Sequence, residues 1–283
     1  MSTADTKLLG VMGWPVAHSR SPAIHSAAIE ALGVDAVYVA WPVRPEALPA
    51  AIEGLRALGV HGANLTLPHK ERAMALLDEV EPTARAIGAV NTIVRDGARL
   101  IGTNTDAAGL ARSLADAGIS LRGARALVIG AGGAARASVA GLAGAGAAEV
   151  VVAARRPARA DALVRALEPI ADGTALHALD LRDAGEAAPR TDLLVQATSA
   201  TLGEGPEAEA LASGLPWDAL PADAAVVDLV YAPLETTVLR AAAARGLRTV
   251  DGLGMLVHQA ALALERWLGL KPPVEAMREA ARR

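Results

Sequence analysis

The 283-residue chain has no cysteine and no phenylalanine, and aromatic residues make up only 2% of it. Without cysteine there can be no disulfide, thiolate nucleophile, iron–sulfur ligand or Cys-based zinc site. No apolar run reaches the ~18–20 uncharged residues that cross a bilayer. The Ala/Gly-rich stretch 126–154 is interrupted by Arg136 and Glu149. The opening MSTADTKLLGVMGWPVAHS lacks the unbroken apolar stretch of a secretory signal. A cytoplasmic protein with no membrane partner is therefore expected. Positive charge is not in excess either. Lys plus Arg number 27 against 31 Asp plus Glu, a formal charge of −4, which argues against a nucleic-acid partner. The six histidines form no HExxH and have no Cys partner, so no metal is expected. His61 and His69 flank one strand, and His18 and His25 surround a helix start; capping or surface roles are expected for them.

Lysine and asparagine are also scarce. There are three of each: Lys7, Lys70 and Lys271, and Asn64, Asn91 and Asn104. All three Asn fall between positions 64 and 104, with Lys70 among them. What is abundant is apolar: 52% of the chain is hydrophobic, ample for a core, and the length suits two domains.

The pattern is α/β throughout. Leu8–Met12, Val37–Trp41 and His61–Leu67 read as strands, with helical spacing in Ile24–Leu32 and Leu48–Leu58. Ser21 before Pro22 fits an N-cap followed by Pro at the first helical position. Ala89–Val94 and Arg99–Gly102 read as strands around an Asp96-Gly97 turn. This alternation predicts a mostly parallel sheet covered by helices. A second α/β unit follows Asp106. Its strands are Ala124–Ile129, Glu149–Ala153, Asp192–Val195 and Ala224–Leu229, and its helices include Ala107–Ala117, Arg159–Leu167 and Glu235–Arg245. Leu202–Pro221, with Gly203, Gly205, Pro206 and Gly214, reads as a mobile loop. Two helices separated by Pro272-Pro273 close the chain.

Two constellations can carry chemistry. The first is G-x-G-x-x-A at Gly130, Gly132 and Ala135, directly after an apolar run and opening a helix. Gly130 permits a tight turn, Gly132 lets backbone approach a pyrophosphate, and Ala135 lets the helix lie close on the strand; free N–H groups then face phosphate. A plain Gly-rich turn is the alternative. The next strand runs out through Ala153-Ala154-Arg155-Arg156, where an NAD-binding unit carries Asp or Glu for the ribose 2′-hydroxyl. Here Arg155, Arg156 and Arg159 follow instead, matching a 2′-phosphate unless they form a solvated basic turn.

The second constellation lies in the first hundred residues. Ser19 and Ser21 in the loop after the first strand suit a carboxylate. Asn64 and Thr66 are two apart on one strand and share a face. Lys70 follows at the next helix start, and Asn91-Thr92 and Asn104-Thr105-Asp106 add a polar edge. Singly, Asn104 reads as a turn former and Asp106 as a helix N-cap. Together they suit a polyhydroxylated ligand. A Lys removed from water can serve as a general base.

Six stretches together resemble the shikimate dehydrogenase family over nearly the whole chain: Val16-Ala-His-Ser-Arg-Ser-Pro22, Gly62-Ala-Asn-Leu-Thr-Leu-Pro-His-Lys70, Ala89-Val-Asn-Thr92, Asn104-Thr-Asp106, Gly130-Ala-Gly-Gly133 and Asp251-Gly-Leu-Gly-Met-Leu-Val-His-Gln259. The Lys70 and Gln259 segments are the specific ones. The resemblance implies an N-terminal catalytic α/β domain, 1–105, completed by C-terminal helices, 255–283. It implies that a Rossmann-type NADP domain, 106–254, is inserted between them. The implied activity is reversible hydride transfer between shikimate and 3-dehydroshikimate, in chorismate biosynthesis, by a monomer or homodimer. It implies Lys70 and Asp106 as the catalytic pair, Ser19 and Ser21 on the substrate carboxylate, and Asn64, Thr66, Asn91 and Gln259 on ring hydroxyls with Tyr231 nearby. On the cofactor side it implies Gly130, Gly132, Gly133, Ala134, Thr198, Gly252, Gly254 and Met255, with Arg155, Arg156 and Arg159 at the 2′-phosphate.

The chain departs from the family pattern in three places. Ala154-Arg155-Arg156 stands for Asn-Arg-Thr, Gln196 for the Asn of Asn-Ala-Thr-Ser, and Thr201 for a Gly. The rival readings are a quinate/shikimate or amino-shikimate dehydrogenase and, in another class, an NADP(H)-sensing or partner-binding protein on the same fold.

Overall fold

The computed structural model describes residues 3–283. They form two compact units, each with its own six-stranded sheet. Unit 1 comprises residues up to Thr105 together with Val257–Arg283, and unit 2 comprises Asp106–Leu256.

In unit 1 the chain runs β1 (Lys7–Gly13), α1 (Ser21–Leu32), β2 (Ala36–Pro42), α2 (Leu48–Ala57), β3 (Gly62–Leu65), β4 (Glu79–Val80), α3 (Pro82–Ile87), β5 (Thr92–Asp96) and β6 (Arg99–Thr103). The sheet order is β2-β1-β3-β5-β6-β4. β1 runs parallel to β2 and β3, but β5 is antiparallel to both β3 and β6. The sheet is therefore mostly parallel, as expected, with β5 the one reversed strand. The tight Asp96-Gly97 turn, with Gly97 at a φ of 59°, can join only antiparallel neighbours. The consequence is that β1, β3 and β6 end, and β5 begins, at one edge. Leu48, Ile52 and Leu55 of α2 bury one helical face against Ala63, Leu65, Ile93 and Leu100 of the sheet.

Unit 2 begins with α4 (Asp106–Asp116) and continues through β7 (Arg125–Ile129), α5 (Gly133–Gly144), β8 (Glu149–Ala154), α6 (Pro157–Leu167), β9 (Ala175–Asp180), β10 (Leu193–Gln196), α7 (Pro206–Gly214), β11 (Ala225–Asp228), α8 (Thr237–Ala243) and β12 (Arg248–Val250). Its six strands are all parallel in the order β12-β11-β10-β7-β8-β9. That is the doubly wound dinucleotide-fold order, whose direction reverses between β7 and β10; ligands of such sheets sit outside the strand carboxyl ends at that reversal. The residues read as a mobile loop contain α7: Pro206 occupies its first turn and Glu207 and Glu209 oppose the helix dipole there.

The final helices are α9 (Leu253–Leu268) and α10 (Val274–Arg282). Trp267 of α9 lies on the first sheet: its indole N–H donates to the Ile93 carbonyl at 2.9 Å. A side chain at Gly62 would overlap that indole. Arg266 makes a two-pronged contact with Glu81, and Arg20 donates to the Ala281 carbonyl at 2.8 Å. No helix among the described residues is long and apolar enough to cross a membrane.

Candidate active site

In unit 1 the candidate residues gather at the edge where β1, β3 and β6 end and β5 begins. Ser19 and Ser21 follow β1. Ser21 is not the N-cap of α1 but its first residue; the N-cap is Arg20, which makes no side-chain cap. The buried Ser21 donates its backbone N–H to Ser19 Oγ at 3.3 Å. Its hydroxyl is thereby released from capping and lies beside the phenol of Tyr38. Asn64 is buried. Its Oδ1 accepts from the Tyr38 hydroxyl at 2.7 Å, and its Nδ2 donates to the Asn91 carbonyl and to Thr92 Oγ1 at 3.2 and 3.0 Å.

Asn91 continues the network. Its Oδ1 accepts from the Thr105 N–H at 2.8 Å, and its Nδ2 donates to Thr105 Oγ1 at 2.9 Å and to Gln259 Oε1 of α9 at 3.3 Å. Thr66 leaves β3 with its N–H on the Met12 carbonyl, 2.9 Å away. Lys70 is half-buried and sits in a turn before a short 3-10 segment rather than at an α-helix start. Its carbonyl accepts from Val90 N–H at 2.9 Å, tying it to the segment that carries Asn91.

The histidines correct an expectation. His25 and His69 are fully buried, neither capping nor surface residues. His69 Nε2 meets the Val43 carbonyl at 2.8 Å. No group of His, Asp and Glu among the described residues is arranged to hold a metal.

In unit 2, Gly130 closes the turn after β7 at a φ of 118°, a conformation that favours glycine. α5 begins at Gly133 with Gly132 as an N-cap that has no side chain to cover the helix N–H groups. No atom of the described residues lies within 4 Å of where a side chain would project at Gly132 or Gly133, while Ala135 is fully buried. An uncovered helix N-terminus beside open backbone at the sheet's reversal point fits a phosphate-bearing dinucleotide. Ala134 is exposed on the first turn, and Thr198 is half-buried after β10, where a Gly130 side chain would meet its Cγ2 at 2.9 Å. Arg155, Arg156 and Arg159 are exposed where β8 gives way to α6, and Arg155 pairs with Glu207 at 3.3 Å. That donor set, without a carboxylate on the β8 exit, fits a phosphorylated ribose.

Asp106 is buried as the first residue of α4, and Tyr231 is half-buried after β11. Gly252 and Gly254 have a packing reason to be small. A side chain at Gly252 would overlap the Leu229 carbonyl, and one at Gly254 the Ser113 hydroxyl. Met255 follows in the first turn of α9. The site residues that sequence reasoning missed are Tyr38 and Asp228. Each is buried in its polar cluster, and a strand-borne Tyr or Asp has no local signal that separates it from ordinary core or turn.

A parallel dinucleotide-binding unit joined to a mixed α/β unit with a polar, lysine-bearing edge defines a two-domain oxidoreductase. Family models match along the chain: the shikimate dehydrogenase substrate binding domain over residues 11–93, shikimate/quinate 5-dehydrogenase over 110–204, and the shikimate 5′-dehydrogenase C-terminal domain over 252–282. The chain is 51% identical over 281 residues to the NADP(+) shikimate dehydrogenase of Methylobacterium radiotolerans, covering 97% of this chain and 95% of that one. It is 48% identical over 279 residues to that of Geobacter metallireducens, covering 98% and 96%. The crystal structure of Thermus thermophilus shikimate 5-dehydrogenase with NADP(H) and shikimate aligns with a TM-score of 0.84 at 44% identity, covering 98% of each chain. The chain belongs to the shikimate dehydrogenase family.

Proposed function

We propose that this chain is a cytoplasmic, NADP-dependent dehydrogenase interconverting shikimate and 3-dehydroshikimate in chorismate biosynthesis. One observation carries the reading: Ser19, Ser21, Asn64, Thr66, Lys70 and Asn91 meet at one sheet edge of unit 1, linked to Gln259 through Asn91. Such an edge offers donors for a carboxylate, partners for ring hydroxyls and one ammonium.

In this reading residues 1–105 with 255–283 bind the substrate and residues 106–254 bind NADP. The bound cofactor would supply a hydride acceptor in its oxidised form and a hydride donor in its reduced form. Ser19 and Ser21 donate hydroxyls to the carboxylate. Asn64, Thr66, Asn91 and Gln259 orient the ring, with Tyr231 alongside. The network leaves Asn64 little freedom: its two N–H groups are already engaged, so it meets a ring hydroxyl through Oδ1. Lys70 takes the hydroxyl proton as the alcohol is oxidised and gives it back in reduction, and Asp106 holds the lysine in its working position. Gly130, Gly132, Gly133 and Ala134 cradle the pyrophosphate, Arg155, Arg156 and Arg159 hold the 2′-phosphate, and Thr198, Gly252, Gly254 and Met255 line the nicotinamide side.

Initial rates with shikimate and with quinate, each with NADP+ and with NAD+, test the reading. Turnover of shikimate with NADP+ far above the other three combinations is expected. NADP+ binding without turnover would instead establish the sensor alternative.

A further inference from the structure

Gln196 and Asp228 are register neighbours at the carboxyl ends of β10 and β11, one strand from the glycine turn. Asp228 is completely buried, with no cationic partner among the described residues. Hydrogen bonds alone hold it: Oδ1 accepts from Gln196 Nε2 at 3.2 Å, Thr201 Oγ1 at 3.2 Å and Val230 N–H at 3.0 Å, and Oδ2 accepts from Thr236 Oγ1 at 2.7 Å. Burial pushes its carboxyl above the ordinary range despite these donors.

Gln196 does more than serve Asp228. Its Nε2 also donates to Thr201 Oγ1 at 2.8 Å and to the Thr198 carbonyl at 3.2 Å, while its Oε1 accepts from the Thr198 N–H. One side chain therefore holds the backbone of Thr198 on both sides. Thr201, fully buried, accepts from Gln196 with the same hydroxyl that donates to Asp228. Thr198 in turn is the residue lying over Gly130. The two departures from the family pattern at and just beyond the end of β10 are thus in direct contact.

We infer that Gln196 and Thr201 are a coupled pair of positioning residues for the dinucleotide, holding residues 198–201 against the glycine turn from the buried Asp228 platform. The inference rests on the NADP reading above. It adds that affinity for NADP depends on a hydroxyl that never touches it. Removing that hydroxyl takes an acceptor from Gln196 Nε2 and a donor from Asp228 Oδ1, and in a buried place the bonds that remain must rearrange to make good the loss. The segment they hold moves with them.

The test uses the full chain and three variants, Thr201→Val, Thr201→Ser and Gln196→Asn, read by isothermal titration with NADP+, by KM for shikimate and by thermal unfolding. Thr201→Val keeps the shape and loses the hydroxyl; its NADP+ Kd rises about ten-fold, which corresponds to ~1.4 kcal/mol, with KM for shikimate unchanged. Thr201→Ser restores the hydroxyl and binds NADP+ within about two-fold of the parent. Gln196→Asn, one methylene too short to span both Thr198 and Thr201, weakens NADP+ binding to a similar extent. Combining Gln196→Asn with Thr201→Val costs less than the product of the two, as coupled groups do. Undiminished binding in Thr201→Val, failure of Ser to rescue, or a matching loss toward shikimate overturns the inference. A parent chain that binds NADP+ and oxidises shikimate while Thr201→Val binds normally sinks this inference alone. A parent chain that binds no NADP+ sinks both.

Discussion

The imidazole of His25 lies flat on the phenol ring of Tyr38, with ring centroids 4.1 Å apart and planes within 10° of parallel. Neither of its nitrogens makes a hydrogen bond of good geometry among the described residues, and the Asn64 side chain offers only a weak one. Beneath it, Tyr38 holds Asn64, so a buried aromatic pair braces one of the residues that face the proposed substrate.

Burial pushes His25 down from 6.5 to about 3. Between those values the unfolded chain carries a proton at this position that the folded chain does not. Its contribution to stability is therefore complete above pH 6.5 and declines as the pH falls toward 3. His25→Phe keeps a ring on Tyr38 and removes the titration. Thermal unfolding between pH 6.5 and 5, above most carboxylate pKa values, should fall less steeply for this variant than for the parent. Parallel curves would show that His25 does not set this slope.

Ser21 has been freed from capping, so its loss should touch binding more than folding. Removing a donor to a charged group costs ~1.5–3 kcal/mol. For Ser21→Ala the KM for shikimate should rise roughly ten-fold or more, with a smaller change in kcat. An unaltered KM takes this hydroxyl out of the carboxylate site.

Lys70→Met preserves the side-chain stem and the backbone tie to Val90. Proton-transfer groups contribute ~10²–10⁴-fold, so kcat should fall by that order while shikimate still binds. Asp106→Asn, which keeps the shape and removes the charge, should lower kcat in the same direction. A Lys70→Met enzyme with near-parental kcat would assign the proton to another group.

Cofactor choice turns on the exposed arginines after β8. Charge-assisted contacts to phosphate contribute ~1.5–3 kcal/mol each, so two of them favour NADP over NAD by roughly a hundred-fold in kcat/KM. Arg155→Ala should cost NADP about ten-fold more than NAD, and added salt should raise the KM for NADP selectively. Equal use of both cofactors by the parent chain would reduce the arginines to a solvated turn.

Much of the architecture was legible because it rests on local chemistry. An apolar run and the glycine turn after it identify β7 within a residue and place a helix start there, and the α/β class follows from the alternation. What escaped depends on distance or context. β12 and β4 have three and two residues, too short to show a period. β9 carries His177 and ends in Asp180, which breaks an apolar signature. α7 hid behind glycines and a proline that turned out to start a helix. Ser21 looked like a cap because local spacing cannot register that Tyr38, from β2, stands beside it. The Gln196–Thr201 pairing was invisible for the same reason: the two residues have no evident business with each other until Asp228, on the next strand, joins them.

The seating of Trp267 against Gly62 has a consequence for the order of events during synthesis. Unit 2 is one continuous stretch of chain, all of it synthesised before Trp267. Unit 1 begins first and finishes last, because Ile93 gains its indole partner, and Glu81 its arginine, only from the final helices. Until then the groove at Gly62 stands open, and the earliest-made half of the protein waits on the last-made segment to close its sheet.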